Sequence, residues 1–193
     1  MAQLLSTVQI GRPERFASRI GWILFVIVGV LPLHGRPTVA AVARGSEYRL
    51  RLYHTHTKER IDIIYRRGDA YLPEAMDRLN RFLRDHRTGN VPRYDVRVFD
   101  LLHDLTAAIG RPGSEIDIIC GYRTPWSNEF LRQNSSGVAL HSLHIQAEAI
   151  DIRIPGIATS RLREVALALS RGGVGYYAKS NFVHVDVGRV RRW

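Results

Sequence analysis

The sequence predicts an α+β domain: one antiparallel sheet carrying a metal-type site, with helices packed on it. Three observations point there. Segments that alternate apolar and polar residues lie near both ends of residues 44–193. Three stretches of helical periodicity lie between them, and AIDIRI and FVHVDV set Asp and His among β-branched residues. No internal repeat or low-complexity segment interrupts this order.

In chain order, residues 48–53 and 61–65 read as the two strands of a hairpin joined by the polar HTHTKER. Pro73 suits the first turn of a helix, where its missing N–H costs nothing. Met76, Leu79, Phe82 and Leu83 then form an apolar stripe through to about Asp85. RTGN ends that helix. Residues 95–109 form a second helix with Val98, Leu101, Leu102 and Leu105 inward, and GRPG breaks it before a strand at 115–120. Residues 128–133 read as a short helix and NSSG as a turn. Asp151 lies on a strand that PGIATS ends, and 161–170 is the third main helix. Gly172, Gly173 and Gly175 then permit a close backbone approach to the last strands.

Residues 1–43 read as an address. Arg12, Arg15 and Arg19 precede an uncharged run of fourteen residues, 20–33, and TVAAVA supplies small residues at Ala41 and Ala43. A positive n-region, an apolar h-region and an A-x-A-like site are the parts of a signal peptide, with cleavage expected after Ala43. The run falls short of the roughly twenty residues that span a bilayer comfortably. The rival is an uncleaved inner-membrane anchor, which the long n-region favours, and membrane contact is expected only in that case. No Arg-Arg pair supports a twin-arginine route. The expected division is therefore a leader over 1–43 and one domain over 44–193, outside the cytoplasm.

That domain is large enough for a core of its own. Cys120 is the only cysteine, so no internal disulfide exists, and its apolar setting in IDIIC reads as a buried small hydrophobe, not a nucleophile. The chain carries a formal +10. Four arginines against one glutamate give the leader +3, which leaves about +7 for the domain. A basic domain suits nucleic acid, anionic lipid or an acidic polymer. The basic residues are scattered, no nucleic-acid motif is visible, and export argues against DNA or RNA, so no nucleic-acid partner is expected.

The chemistry concentrates in SLHIQAEAID and HVDVG. His144 and Asp151 lie close together, and His184 follows forty positions after His144. Two imidazoles and a carboxylate are the ligand set of a catalytic zinc site, which keeps one position open for water. Of the eight histidines, His54, His56, His86 and His103 read as surface or satisfied core residues. His144 and His184 stand apart because of their neighbours. Alternation sets Asp151 opposite Ile150 and Ile152, and sets Phe182, His184 and Asp186 on one face with Val183, Val185 and Val187 on the other.

The segments SLHIQAEAIDIRIPG, GYRTPWSNEFLRQNSSGVALHS and GVGYYAKSNFVHVDVGRVRRW resemble the YcbK-type murein endopeptidases, the MepK family. That family lies within the zinc D,D-peptidase superfamily of VanX, VanY, MepA and the hedgehog-like domains. The likeness covers nearly everything after residue 43, including LRDHRTG and the final VRRW. The family pattern is Ser-x-His, a Gly three places past the His, Ala-x-Asp, and later His-x-Asp. Ser142, His144, Ala149, Asp151, His184 and Asp186 match it, while Ala147 stands where the family has Gly. If that position takes a positive φ, alanine costs about 1 kcal/mol there.

The resemblance implies a periplasmic enzyme that binds one Zn2+ through His144, Asp151 and His184. It also implies that Arg123 of GYRTP grips the substrate or its developing oxyanion, with Ser142 and Asn128 shaping the cleft. Zinc would polarise the scissile carbonyl and lower the pKa of water to about 7. The proton acceptor is less plainly marked. VanX-like relatives use a glutamate where this chain has Asn181, and MepA-like relatives a histidine where it has Phe182. Asp186 is the remaining nearby carboxylate. It is either the general base or a support that holds a zinc-bound imidazole through its other nitrogen. The implied activity is endopeptidase cleavage of peptidoglycan cross-links. A carboxypeptidase trimming stem peptides and a non-catalytic wall-binding module are the alternatives, and no protein partner is expected.

Overall fold

The computed structural model describes residues 46–135 and 137–193; the leader expected over 1–43, with its cleavage site, lies outside the described residues. Twelve elements follow in order. They are β1 (Glu47–His54), β2 (Arg60–Arg67), β3 (Ala70–Tyr71), α1 (Pro73–Phe82), α2 (Val96–Ala108) and β4 (Glu115–Cys120). Then come α3 (Pro125–Asn134), β5 (Ala149–Arg153), α4 (Thr159–Leu169), β6 (Gly173–Tyr177), β7 (Phe182–Asp186) and β8 (Arg191–Arg192). All eight strands join one sheet in the order β3-β2-β1-β4-β5-β7-β6-β8. The α+β class is as expected.

The sheet is mixed, which corrects the expectation of an antiparallel one. β1 pairs with β4 in parallel, as β6 does with β8, and the other pairings are antiparallel. The cause is the connection. Between β1 and β4 the chain makes the β2–β3 excursion and then runs through α1 and α2, which return it to the end where β1 began. Such a crossover needs helices and produces parallel neighbours.

The helices sit where the apolar periodicity puts them, with two shifted ends. α1 opens on Pro73 and buries Leu79 and Phe82, but stops at Phe82. Asp85 instead folds the next turn, its side chain accepting from the backbone N–H of Arg87 at 2.9 Å and of Thr88 at 3.4 Å. α3 starts at Pro125, three residues before the expected 128. Thr124 caps it, accepting from the N–H of Ser127, and Pro125 fills the first helical position. The Thr-Pro pair is thus a cap followed by a first-turn proline, a signal that the expected boundary overlooked.

The core lies between sheet and helices, with Leu52, Phe99, Leu102, Leu105, Ile116, Ile118, Ile150, Ile152, Val183 and Val185 fully buried. β5 is central, and every residue from Ala149 to Ile152 is buried. Gly172 and Gly173 meet the expected close approach: a Cβ on either would overlap Asp186, and one on Gly175 would overlap the indole of Trp193.

Candidate metal centre and cleft

Strand register builds the centre. Asp151 on β5 pairs directly with His184 on β7 across an antiparallel ladder, so both side chains leave the same face of the sheet. His144 comes from the turn before β5. Its Nδ1 lies 2.7 Å from the carbonyl oxygen of Gly121. A carbonyl only accepts, so Nδ1 carries the proton and Nε2 keeps its lone pair. His184 is the mirror case. Its Nε2 donates to Asp186 Oδ2 at 3.2 Å, which leaves Nδ1 as the free donor atom.

These free atoms converge. His144 Nε2 lies 3.2 Å from Asp151 Oδ1 and 3.1 Å from His184 Nδ1, and His184 Nδ1 lies 2.9 Å from Asp151 Oδ1. Metal–ligand bonds near 2.05 Å set the edges of a tetrahedral zinc site at about 3.3 Å. A triangle of sides 2.9–3.2 Å therefore fits three ligands of one such ion. Two of the three charge states suit it as well. Burial lowers the pKa of His144 and keeps it neutral. Burial alone would raise Asp151, but the two imidazoles outweigh it and hold the carboxyl well below the usual range. His184 is raised, because its bonds to Asp151 and Asp186 outweigh burial.

Cys120 is a half-buried wall residue of this centre, not the enclosed hydrophobe expected from IDIIC. Its cross-strand partner is Asp151, beside a register shift between Ile118 and Cys120, and its sulfur lies within 4.8 Å of donor atoms of His144 and Asp151. Burial pushes the thiol up to about 12, so it stays protonated at neutral pH and is a weaker donor than the two imidazoles and the carboxylate.

Of the two roles open to Asp186, its contacts favour support of His184. It is fully buried and does not line the cavity. Its carboxylate accepts from the N–H of Gly173 at 2.8 Å, the N–H of Gly188 at 2.9 Å, Arg191 and His184 Nε2. Burial would raise this carboxyl, but those bonds hold it at about 2. It therefore faces the side of His184 away from the other two donors, where it fixes the ring's tautomer and orientation. We expect Asp186→Asn to weaken metal affinity by roughly 10- to 100-fold, with activity falling in proportion, as metal titration against turnover reads directly. Unchanged affinity with collapsed turnover would restore the base role. Asn181 and Phe182 take no such part: Asn181 Oδ1 accepts from Thr159 Oγ1 at 3.3 Å, and Phe182 stacks on Tyr177 at 4.5 Å.

Arg123 is buried at the cleft wall. Its Nη1 donates to Asn128 Oδ1 at 3.2 Å and its Nη2 to Ser142 Oγ at 3.4 Å. Its Nε is buried without a partner among the described residues. Asn128 also donates to the carbonyl of Ala139 at 3.0 Å, tying α3 to the loop before His144. Arg123, Ser142 and Asn128 are thus brought together as expected. Ala147 does take positive φ, at 55°, and is buried. Ala147→Gly should stabilise the protein by about 1 kcal/mol, seen as a melting temperature higher by about 3 °C. No change in melting temperature would show that the turn carries no strain.

The cleft is a cavity of about 450 Å³ whose walls include Cys120, Arg123, Asp151, His184, Arg191 and Trp193. Sequence reasoning missed several of its residues. Trp193 sits 5.2 Å from the ring of His184 and donates through Nε1 to the Tyr177 hydroxyl at 3.0 Å. Arg191 pairs with Asp186 at 2.8 Å. The terminal VRRW, noted only as part of the resemblance, was their signal. His56 and His86 also line the cleft, although both read as ordinary surface or core histidines.

Comparison with known proteins agrees with this geometry. The family described as Peptidoglycan L,D-endopeptidase MepK matches residues 42–193. The chain is 39% identical over 157 residues to Peptidoglycan L,D-endopeptidase MepK of Escherichia coli (strain K12), covering 81% of this chain and 86% of that protein. It is 35% identical over 166 residues to Probable peptidoglycan L,D-endopeptidase MepK of Haemophilus influenzae, covering 86% and 88%. No solved structure matches it. Matched over nearly its whole described length, the chain belongs to the MepK family of peptidoglycan endopeptidases, metallopeptidases of the zinc D,D-peptidase superfamily.

Proposed function

We propose that the protein is a zinc-dependent endopeptidase that hydrolyses L,D peptide bonds in peptidoglycan cross-links, exported to the periplasm by the leader over 1–43. His144, Asp151 and His184 hold the ion. The observation that supports this most is the convergence of their three free donor atoms at 2.9–3.2 Å. An ion so held supplies Lewis-acid chemistry, polarising a carbonyl and acidifying water. The side chains do the rest. Asp186 keeps His184 in its ligating tautomer, and the Gly121 carbonyl does the same for His144. Arg123, braced by Asn128 and Ser142, offers a guanidinium to the substrate carbonyl or its developing negative charge.

Digestion of purified sacculi tests the proposal. The zinc-loaded protein should release muropeptides cut within cross-links, chelation should stop it, and added zinc should restore it. Sacculi left intact by fully loaded protein would sink the enzymatic assignment, and release of single terminal residues would make it a carboxypeptidase.

A further inference from the structure

The cleft carries charge that the metal centre does not use. Among the described residues that line it, Asp151 has the only side-chain carboxylate, whereas Arg87, Arg123 and Arg191 bring three guanidinium groups. Arg191 is engaged with Asp186, and Arg123 with Asn128 and Ser142. Arg87 has no carboxylate partner among the described residues, and its guanidinium carbon lies 5.8 Å from the centroid of the Phe130 ring.

Two histidines share the lining with Arg87. His56 and His86 stack 4.1 Å apart and within 2° of parallel. His54 meets both rings edge-on at 6.0 Å and is fully buried. Its Nδ1 accepts from the backbone N–H of His56 and Thr57, and its Nε2 has no partner among the described residues. Burial lowers His56 and His86, and the nearby Arg87 lowers both further, His86 to about 4. Near neutral pH the stacked pair is therefore uncharged and offers N–H donors with no mutual repulsion.

The loops that carry these groups are held in place. Thr55 donates through N and Oγ1 to the carbonyl of Ile118, which ties the β1–β2 turn to β4. Asp85 accepts from the N–H of Arg87 and from both N and Oγ1 of Thr124 at 2.8 Å, which ties the loop after α1 to the start of α3. An exposed guanidinium on a loop held in place, with donors beside it and no counter-charge among the described residues, is arranged to receive an anion. Resting on the peptidase reading above, we propose that Arg87 and the His56–His86 pair form a carboxylate subsite, which takes a free carboxylate of the substrate peptide to one side of the scissile bond.

The test crosses substrate charge with residue identity. Two synthetic cross-linked peptides of one sequence are compared, one with a free carboxylate beside the scissile bond and one with that group as the amide, at low ionic strength where such contacts are least screened. The wild-type protein should favour the acid by about tenfold in KM, Arg87→Met should bring that preference close to one, and Arg87→Lys should recover part of it. Binding of the same two peptides by calorimetry gives the ratio without turnover, so failure of hydrolysis defeats the peptidase reading and leaves the subsite still measurable. An acid preference that survives Arg87→Met, or no preference in the wild-type protein, would overturn the subsite.

Discussion

His184→Ala should strip the metal from the protein and abolish peptide hydrolysis. The variant removes one of three donors and also leaves the Asp186 carboxylate, fully buried, without the imidazole that it orients. Partners that only support a ligand cost roughly 10- to 100-fold in metal affinity, so losing a ligand outright should cost more than about 10²-fold. Metal analysis after gel filtration reads this directly, and circular dichroism checks the fold. A protein that keeps stoichiometric zinc and full activity would remove His184 from the centre. Asp151→Asn should behave alike, because an amide offers a neutral oxygen where the site holds a carboxylate ionised.

Arg123→Lys should retain fold and metal yet lose about 10²-fold in kcat/KM, the scale of removing one donor that stabilises developing negative charge. The guanidinium reaches Asn128 and Ser142 at once and still has a buried Nε without a partner among the described residues. Lysine keeps the charge but has a single ammonium on a flexible stem and cannot make this fork. Near wild-type turnover in a folded, metal-loaded variant would show that Arg123 only braces the wall. Loss of metal in the same variant would point to Ser142, whose Oγ accepts from Arg123 Nη2 and from the backbone N–H of His144, each at 3.4 Å.

How these residues came to be found differs from case to case. Strands, helices and the candidate ligand set were legible because they are written in local pattern. Period-two alternation marked β5 and β7, Pro73 and the stripe after it marked α1, and residue type singled out His144, Asp151 and His184. Ala147 was legible as a departure from the family pattern, and its φ of 55° gives that departure a conformational meaning. Alternation also put Asp186 on the face of His184, but it carries no information on which imidazole nitrogen the carboxylate meets.

Tertiary structure decided what depends on distant chain segments. The parallel pairing of β1 with β4 follows from the route of α1 and α2, which no local pattern encodes. Asp186 is held away from the cleft because Gly173, Gly188 and Arg191 saturate it from three directions. Cys120 reaches the centre through a register shift beside it, and His56 and His86, thirty positions apart, stack because Thr55 and Asp85 pin their loops to β4 and α3 respectively. By itself the sequence determined which elements form and which side chains can bind a metal, since propensity, period and donor type belong to single residues and short windows. The tertiary structure decided which partner each polar group meets, since a hydrogen bond or a stacked ring is fixed by packing between segments remote in the chain.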